Sequence, residues 1–217
     1  MLTILFGPPG SGKTTAVQEI QGHHTLTYIS VGAIYRSEVE RDTDFSKVLR
    51  RYVESNINYP KDIIKKIVEP KLLGIKKDDL AILDGFPRHE HELEVLHELL
   101  HRQHDILPGY IIILTLSRDT AKERISSRRV CGACDYHTGN EDLCPRCESP
   151  MEKRHDDDLD QFDDRFNAYL TNNEAIVDRL TKMGFKPIYI DANAGKEKVY
   201  KDITNVLLKK PDSETVR

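Results

Sequence analysis

The feature that most constrains the fold is a glycine-rich segment near the start of the sequence. It reads Gly7-Pro8-Pro9-Gly10-Ser11-Gly12-Lys13-Thr14-Thr15 and fits the pattern G-x-x-x-x-G-K-S/T. An apolar run, Leu2 to Phe6, precedes it and a helical pattern beginning near Lys13 follows, which is the context that the pattern requires. Glycines let the backbone curl until successive N–H groups surround a polyphosphate at the start of the helix. We therefore interpret the segment as a phosphate-binding loop rather than a surface turn.

The side chains of this loop divide between the phosphates and a metal ion. Lys13 can reach the outer phosphates of a nucleotide, and the Thr14 hydroxyl is suited to the magnesium ion that accompanies the nucleotide. Motors, switches and transporters share such loops, so the loop alone does not define a reaction. The expected ATP contacts in the loop are Gly7, Gly10, Ser11, Gly12, Lys13, Thr14 and Thr15.

Composition narrows the class of protein. The 217 residues suit one large domain or a core with insertions, and the net charge is -4. This charge argues against a dedicated nucleic-acid binder, because neutralising phosphates requires a clustered positive surplus. The longest apolar stretch, Tyr110 to Leu114, is too short to span a bilayer, and no basic leader precedes the first apolar run. We therefore expect a cytoplasmic protein.

Short β-rich runs alternate with helical patterns along the chain. The runs are Leu2 to Phe6, Leu26 to Ile29, Leu80 to Leu83, Tyr110 to Leu116 and Pro187 to Ile190. Alternation of this kind predicts an α/β fold with a doubly wound, five-stranded parallel sheet. Two intervening stretches are too long to be simple crossovers. The predicted organisation is a core of residues 1–29, 76–117 and 161–217, a helical insertion of residues 30–75, and a second insertion of residues 118–160.

The second insertion contains all four cysteines, as two C-x-x-C pairs. They are Cys131, Cys134, Cys144 and Cys147. Tetrahedral zinc takes four thiolates, and each C-x-x-C turn presents two of them from a tight loop. We therefore predict a structural zinc ion that stabilises a segment too small to build its own core. An iron ion or two redox dithiols are the alternatives.

A second motif follows the third apolar run. It reads Asp84-Gly85-Phe86-Pro87-Arg88 and begins where the strand is predicted to end, beside the phosphate loop. Asp84 is therefore expected to join Thr14 in orienting magnesium, partly through water. With both motifs in place, the sequence resembles the adenylate kinases, which belong to the nucleoside monophosphate kinases, over about Leu2 to Leu208.

The resemblance implies an activity and a domain plan. In that family the first insertion binds the acceptor monophosphate, and the second is a lid that closes over ATP, in some members around zinc. The implied reaction is the reversible, magnesium-dependent transfer of the γ-phosphoryl group of ATP to AMP, giving two ADP. The expected partners are ATP and a nucleoside monophosphate, with no nucleic acid, no membrane and no second subunit.

The resemblance also implies roles for residues in both insertions. On the ATP side, Arg124 matches an arginine that packs on the donor base, and Arg128 matches an arginine that contacts the donor's phosphates. Tyr136-His137 matches the pair through which the lid contacts the donor. The implied AMP-binding residues are Val31, Arg36, Ile57, Asn58, Tyr59, Gly85, Arg88, Glu92, Arg154 and Arg165. Phosphoryl transfer needs cations around the transferring group rather than a nucleophile, and guanidinium groups bind phosphate in a bidentate manner. The implied catalytic residues are Lys13, Arg36, Arg88, Arg128, Arg154 and Arg165.

One departure from the family pattern bears on the acceptor. The position that usually carries a Gln, which reads the acceptor adenine, is Glu92 here. A carboxylate only accepts hydrogen bonds, so it suits the adenine amino group but faces the N1 lone pair unfavourably, whereas guanine offers two donors. AMP is the expected acceptor and GMP the first alternative. In a third reading Glu92 turns towards solvent, and backbone groups near Ile57, Asn58 and Tyr59 read the base.

Two further patterns receive less specific interpretations, and one rival class of protein is left open. The segment from His97 to His101 matches the H-E-x-x-H signature of zinc peptidases, but no third ligand follows and the region is rich in His, so we interpret the match as accidental. An acidic block from Asp156 to Asp164 is interpreted as the solvated start of a helix. The rival from another class is a P-loop, zinc-ribbon ATPase that binds nucleic acid; the acidic block and an aromatic content of 7% disfavour it.

Overall fold

Strands of two separate sheets run through the described part of the chain. The computed structural model describes residues 1–54, 58–103, 106–139, 141–153, 157 and 159–209, without the side chains of residues 53 and 54. The strands are β1 (Leu2–Phe6), β2 (Thr27–Ser30), β3 (Ala81–Asp84), β4 (Pro108–Thr115), β5 (Arg129–Cys131), β6 (His137–Thr138), β7 (Met151–Lys153) and β8 (Lys186–Asp191).

The larger sheet has five parallel strands in the order β2-β3-β1-β4-β8. Each apolar run predicted as a strand lies in this sheet, with its ends within two residues of the prediction. All five residues of β1 are buried, as expected for a central strand that helices cover on both faces. The predicted α/β fold is therefore confirmed.

Helices cover both faces of the sheet. They are α1 (Lys13–His23), α2 (Val31–Glu40), α3 (Asp44–Glu54), α4 (Lys61–Leu73), α5 (Glu90–Arg102), α6 (Arg118–Ser127), α7 (Phe162–Lys182) and α8 (Lys196–Leu208). Successive side chains of a strand point to opposite faces, so Leu2 and Ile4 pack with the helices α4, α5 and α7, whereas Leu5 packs with α1 and α8. None of the helices in the described ranges combines the length and apolar composition needed to cross a membrane.

The two long stretches between strands have different structures. Residues 30–75 contain the helices α2, α3 and α4, and the Ser30 hydroxyl caps α2 by accepting from the Ala33 N–H at 3.4 Å. Residues 118–160 contain α6 and the smaller antiparallel sheet, in the order β6-β5-β7. The boundaries of these units as separate domains stay a prediction.

Ion pairs join α4 to α5, and the H-E-x-x-H segment takes part in them. The pairs are Lys61 with Glu94, Lys65 with Glu98 at 2.7 Å, and Glu69 with Arg102 at 2.5 Å. The glutamate of the H-E-x-x-H segment is thus paired with a lysine, and both of its histidines are exposed. Within the described ranges, three or more metal-ligating side chains lie close enough to share an ion only among the four cysteines.

Candidate active site

The glycine-rich loop connects β1 to α1 at the carboxyl ends of the central strands. Gly10 and Gly12 have φ angles of 80° and 85°, which only glycine adopts readily. A Cβ atom on Gly10 would lie 2.6 Å from the carbonyl oxygen of Ala121, so no other residue fits there without moving backbone. No side chain of the described residues caps the start of α1. Its first N–H groups are therefore available to an anion.

Lys13 folds back over the loop. Its Nζ atom donates to the carbonyl oxygens of Gly7 at 2.7 Å and Pro8 at 3.2 Å, and to the Ser11 hydroxyl at 3.3 Å. Desolvation lowers the pKa of the Lys13 ammonium to about 8, although the nearby Asp84 carboxylate acts in the opposite direction. A polyphosphate in the loop would supply the missing negative charge and favour the protonated form.

Asp84 ends β3 and lies level with the ends of β1 and β2 in the sheet. It is 5% exposed, and its Oδ2 atom accepts a hydrogen bond from the Tyr28 hydroxyl at 2.7 Å. Its buried Oδ1 atom has no hydrogen-bond partner among the described residues. A buried carboxylate oxygen without a partner is unfavourable, and magnesium or a water bound to it would supply one. The donor set therefore fits the predicted magnesium site. Tyr28, which orients the Asp84 carboxylate, belongs to no sequence motif.

A single cavity of about 970 Å³ opens above the loop and the strand ends. Most of the predicted site residues line it. They are Gly7, Gly10, Ser11, Gly12, Lys13, Thr14, Thr15, Arg36, Asn58, Asp84, Gly85, Arg88, Arg124, Arg128, Tyr136, His137 and Arg165. Ile57 and Arg154 lie outside the described residues. Val31, Tyr59 and Glu92 are not among the lining residues, and Val31 is buried in the core at 2% exposure.

Two arginines converge on one side of the cavity because glycines leave room for them. A Cβ atom on Gly85, which has φ 73°, would lie 2.7 Å from Nη2 of Arg88. A Cβ atom on Gly32 would lie 3.3 Å from Nη1 of Arg36 and 3.9 Å from Nη2 of Arg88. The two guanidinium groups therefore lie together, as a site for a phosphate group requires.

Glu92 is buried beside these arginines. It is 7% exposed, and its Oε2 atom accepts a hydrogen bond from the Arg88 backbone N–H at 2.5 Å. The reading that turns Glu92 towards solvent is therefore wrong, because the first turn of α5 holds the carboxylate against the chain. The rings of Tyr35 and Tyr59 stack nearby, with centroids 4.3 Å apart and planes 7° from parallel. Desolvation and the Glu92 carboxylate both raise the pKa of Tyr35.

Arg128 pairs with a buried aspartate from the acidic block. Its Nε atom donates to Asp157 Oδ2 at 2.6 Å, and its Nη2 atom donates to the other carboxylate oxygen. The Asp157 side chain is completely buried. The interpretation of the acidic block as solvated is therefore wrong at Asp157, because this carboxylate neutralises and orients an arginine of the cavity. Asp163 and Asp164 do lie in the first turn of α7, as expected near a helix N-terminus.

The four cysteine sulfurs lie within 4.8 Å of one another. Three of the sulfur–sulfur distances are 3.5, 3.5 and 3.6 Å. A tetrahedron with metal–sulfur bonds of about 2.3 Å has edges of about 3.8 Å, so the cluster has the size of a zinc site. The two C-x-x-C turns are alike: Asp135 and Glu148 each follow a turn with positive φ, 52° and 59°, and each donates its N–H to the first cysteine's carbonyl.

The cysteine-bearing segment contacts α1 through Gln18. The Gln18 Nε2 atom donates to the Asp135 carbonyl at 2.5 Å, and its Oε1 atom accepts from the His137 N–H at 3.4 Å. Arg146 donates to the Gln18 carbonyl at 3.3 Å, and its guanidinium lies 4.6 Å from the ring centroid of Tyr136. This contact holds Tyr136 and His137 at the cavity beside the phosphate-binding loop. No sequence signal identified Gln18.

The cavity thus combines an anion-binding loop with a pair of adjacent arginines. A site of this kind can hold two phosphorylated nucleotides at once, and with the parallel five-stranded sheet it defines a P-loop nucleoside monophosphate kinase. The family model for adenylate kinase matches residues 5–185. The chain belongs to the adenylate kinase family.

Curated relatives agree with this assignment over nearly the whole chain. A protein of Thermoanaerobacter pseudethanolicus named adenylate kinase is 31% identical, covering 95% of this chain and 98% of its own length. Similar proteins of the same name occur in Caldanaerobacter subterraneus, with 30% identity over 96% of both chains, and in Chlamydia trachomatis serovar D, with 31% identity over 95% of this chain and 90% of the relative.

Proposed function

We propose that the chain transfers the γ-phosphoryl group of ATP to AMP in a reversible reaction that gives two ADP. Membership of the adenylate kinase family supports this reaction. The observation that carries the site assignment is the single cavity lined by both the phosphate-binding loop and the arginine pair Arg36 and Arg88. ATP would place its phosphates in the loop, and the AMP phosphate would lie on the two arginines.

The chain's own contribution to the reaction is positioning and charge. The Lys13 ammonium donates to neutral acceptors in the loop. It can therefore exchange these hydrogen bonds for stronger ones to the negatively charged phosphoryl group during transfer. Arg88, Arg128 and Arg165 would surround the transferring group, and one such arginine can contribute about 10³ to 10⁵ in rate. Arg154 keeps its predicted role in this set. Magnesium, held by Thr14 and by Asp84 partly through water, would neutralise phosphate charge when bound.

The donor nucleotide is proposed to extend from the loop towards the cysteine-bearing segment. Arg124 would pack on the donor base, and its Nη2 atom is steadied by a hydrogen bond to the Ala192 carbonyl at 3.0 Å. Tyr136 and His137 would contact the donor from above. Residues 118–160 would act as a lid that excludes water from the phosphoryl group. Without this exclusion, water would compete with the acceptor and ATP would be hydrolysed.

Zinc is proposed to be a structural component of this lid. Four cysteine ligands leave no open coordination position for chemistry. The buried apolar groups at the cysteine cluster are few, with Met151 and the half-buried Tyr136 as the side chains that pack on it. Metal analysis of untagged protein should therefore find about one zinc per chain, and Cys144→Ser should lose it and lower the melting temperature. Intact protein without bound metal would contradict the proposal.

The acceptor is tested by comparing monophosphates. ADP release is measured with ATP and magnesium against AMP, GMP, CMP, UMP and dTMP, and AMP should give the highest kcat/KM. If no monophosphate raises turnover above the rate with water, the kinase assignment is wrong. The second candidate is GMP, which the buried carboxylate of Glu92 favours. Higher activity with GMP, together with a shift towards AMP in Glu92→Gln, would replace the acceptor and retain the mechanism.

A further inference from the structure

The side-chain amide of Gln18 forms hydrogen bonds on both sides of Tyr136. Its Nε2 atom donates to the Asp135 carbonyl at 2.5 Å, and its Oε1 atom accepts from the His137 N–H at 3.4 Å. The Tyr136 carbonyl points the other way and accepts from the Cys131 N–H at 2.9 Å. A neighbouring parallel strand would bind the carbonyl before a residue and the N–H after it in the same manner. The Gln18 amide therefore substitutes for a strand partner at Tyr136.

The edge of the smaller sheet explains why such a partner is needed. Its described strands lie in the order β6-β5-β7, so β6 is an edge strand whose outer backbone groups face away from β5. Backbone groups at the edge of a sheet still require hydrogen-bond partners. Gln18 reaches this edge from α1, and Lys13, Thr14 and Thr15 in the first turn of the same helix line the cavity. One helix thus connects the phosphate-binding loop to the edge of β6.

The second cysteine turn also contacts α1 at Gln18. Arg146, which lies between Cys144 and Cys147, donates to the Gln18 backbone carbonyl at 3.3 Å. The Arg146 guanidinium lies 4.6 Å from the ring centroid of Tyr136, where a cation is attracted to the face of an aromatic ring. The amide of Gln18 therefore holds the backbone at Tyr136, while Arg146 holds the ring.

We propose that Gln18 is a positioning residue for the donor nucleotide, because its amide holds Tyr136 and His137 at the cavity before ATP binds. Groups that are already in place lose less conformational freedom when a ligand binds, so the affinity for ATP is higher. This inference rests on the proposed function, because it takes Tyr136 and His137 as contacts of the donor. Gln18 acts through these two residues and has no part in the phosphoryl-transfer step.

Two measurements test the contact and its consequence for binding. They are the rate of deuterium exchange of the His137 amide in the nucleotide-free chain and the dissociation constant for ATP, measured by calorimetry. Gln18→Met keeps an unbranched side chain of similar length but removes both hydrogen-bonding groups, so each quantity should rise by about tenfold. The KM for ATP should rise with the dissociation constant, whereas kcat and the KM for AMP should change by less than about twofold. Gln18→Ala, which retains a strong helix former, should give the same changes.

Gln21→Met is the matched control. Gln21 lies on the same helix and is exposed, so the same chemical change there should leave both quantities unaltered. Faster exchange of the His137 amide with an unchanged affinity for ATP would overturn the role of Gln18, since the contact would then exist without serving the donor. Equal losses of affinity for ATP and AMP would also overturn it.

A purely structural role and a failure of the proposed function give other results. A lower melting temperature of Gln18→Met with both quantities unchanged would assign Gln18 to stability alone and would overturn its role in positioning. Neither measurement requires turnover. The absence of AMP-dependent turnover in the unmodified chain would therefore overturn the proposed function, while amide exchange and ATP affinity would still decide the role of Gln18.

Discussion

The two sides of the cavity, which are proposed to bind the donor and the acceptor, are built by different means. The donor side, which comprises the loop 7–15 and the cysteine-bearing segment, depends on backbone shape: glycines with positive φ, the start of a helix and two tight cysteine turns. The acceptor side, where Arg36 and Arg88 line the cavity and the Arg88 N–H donates to the buried Glu92, depends on side chains packed against one another. Backbone shape tolerates few substitutions, whereas a cluster of side chains can change one hydrogen-bonding group and compensate with another. We therefore expect the phosphate-binding loop to tolerate fewer substitutions than the side chains proposed to select the base.

Removing Arg88 should have the largest effect and should be confined to the acceptor side. Arg88→Ala takes a guanidinium from the phosphate cluster, so kcat/KM for AMP should fall about 10³-fold while the dissociation constant for ATP stays the same. Steady-state kinetics and calorimetric titration with ATP measure the two quantities. Arg179→Ala is the control, because Arg179 is 52% exposed in its pair with Glu90 and should alter either quantity less than twofold. Equal losses for both nucleotides would mean that the two sides are not separable.

Changing Asp84 should have a smaller effect, confined to the magnesium dependence. Asp84→Asn removes the charge of the buried carboxylate and should raise the magnesium concentration that gives half-maximal rate by about 10- to 100-fold. Activity is titrated with magnesium at saturating ATP and AMP. Asp202→Asn changes a surface aspartate that pairs with Lys198 and should leave the titration unchanged. An unaltered magnesium curve in Asp84→Asn would exclude the assigned role.

The pH dependence of ATP affinity should depend on Lys13. The pKa of Lys13 in the free chain is lowered to about 8, below its ordinary value of 10.5. Only the protonated amine attracts phosphate, so affinity should weaken as pH rises above about 8, by at most about tenfold per pH unit. Isothermal titration between pH 7 and 9 measures this slope. Lys13→Arg keeps its positive charge over this range, so the ATP affinity of the variant should change little with pH. A pH dependence that persists in the variant would show that another group titrates.

The smallest effect is expected in the cysteine turns. Glu148 adopts a left-handed conformation, φ 59°, that costs a non-glycine residue about 1 kcal/mol. Glu148→Gly should therefore raise the melting temperature of the zinc-loaded protein by about 2–4 °C. Glu152→Gly makes the same chemical change inside strand β7 and should lower the melting temperature, because glycine weakens a strand. A decrease in both variants would show that the turn is not strained.

Local patterns predicted the parts of the molecule that are themselves local. The five strands, the phosphate-binding loop and the cysteine pairs are each contained in a few consecutive residues, and their positions agree with the structure. The contact of Arg128 with Asp157 joins residues 29 positions apart, and that of Gln18 with Asp135 joins residues 117 apart. No period or spacing in one sequence reports which distant side chains meet. For the same reason the charge of the acidic block could be recognised from the sequence, but the pairing of its buried Asp157 with Arg128 could not.

Glu92 illustrates a second limit. The sequence alone showed which residue occupies this position of the family motif. Whether its carboxylate contacts the base, the solvent or the chain depends on the free energy of burying that carboxylate. That free energy is lowered by the Arg88 N–H, a backbone group whose direction is set by the turn before α5. The sequence therefore raises the question of acceptor specificity, and the structure adds that one oxygen of this carboxylate is already bonded to the Arg88 N–H.

The ion pairs between α4 and α5 carry a consequence for motion. Residues 61, 65 and 69 of α4 face residues 94, 98 and 102 of α5, so the same offset of 33 positions recurs in all three pairs. A constant offset means that the two helices run in the same direction and in register over two turns. With its buried residues Ile64, Ile67, Val68 and Leu72 also in the central core, α4 should travel as one rigid body with α5. We therefore expect any hinge on the acceptor side to lie ahead of α4, so that α2 and α3 swing over AMP while α4 stays with the sheet.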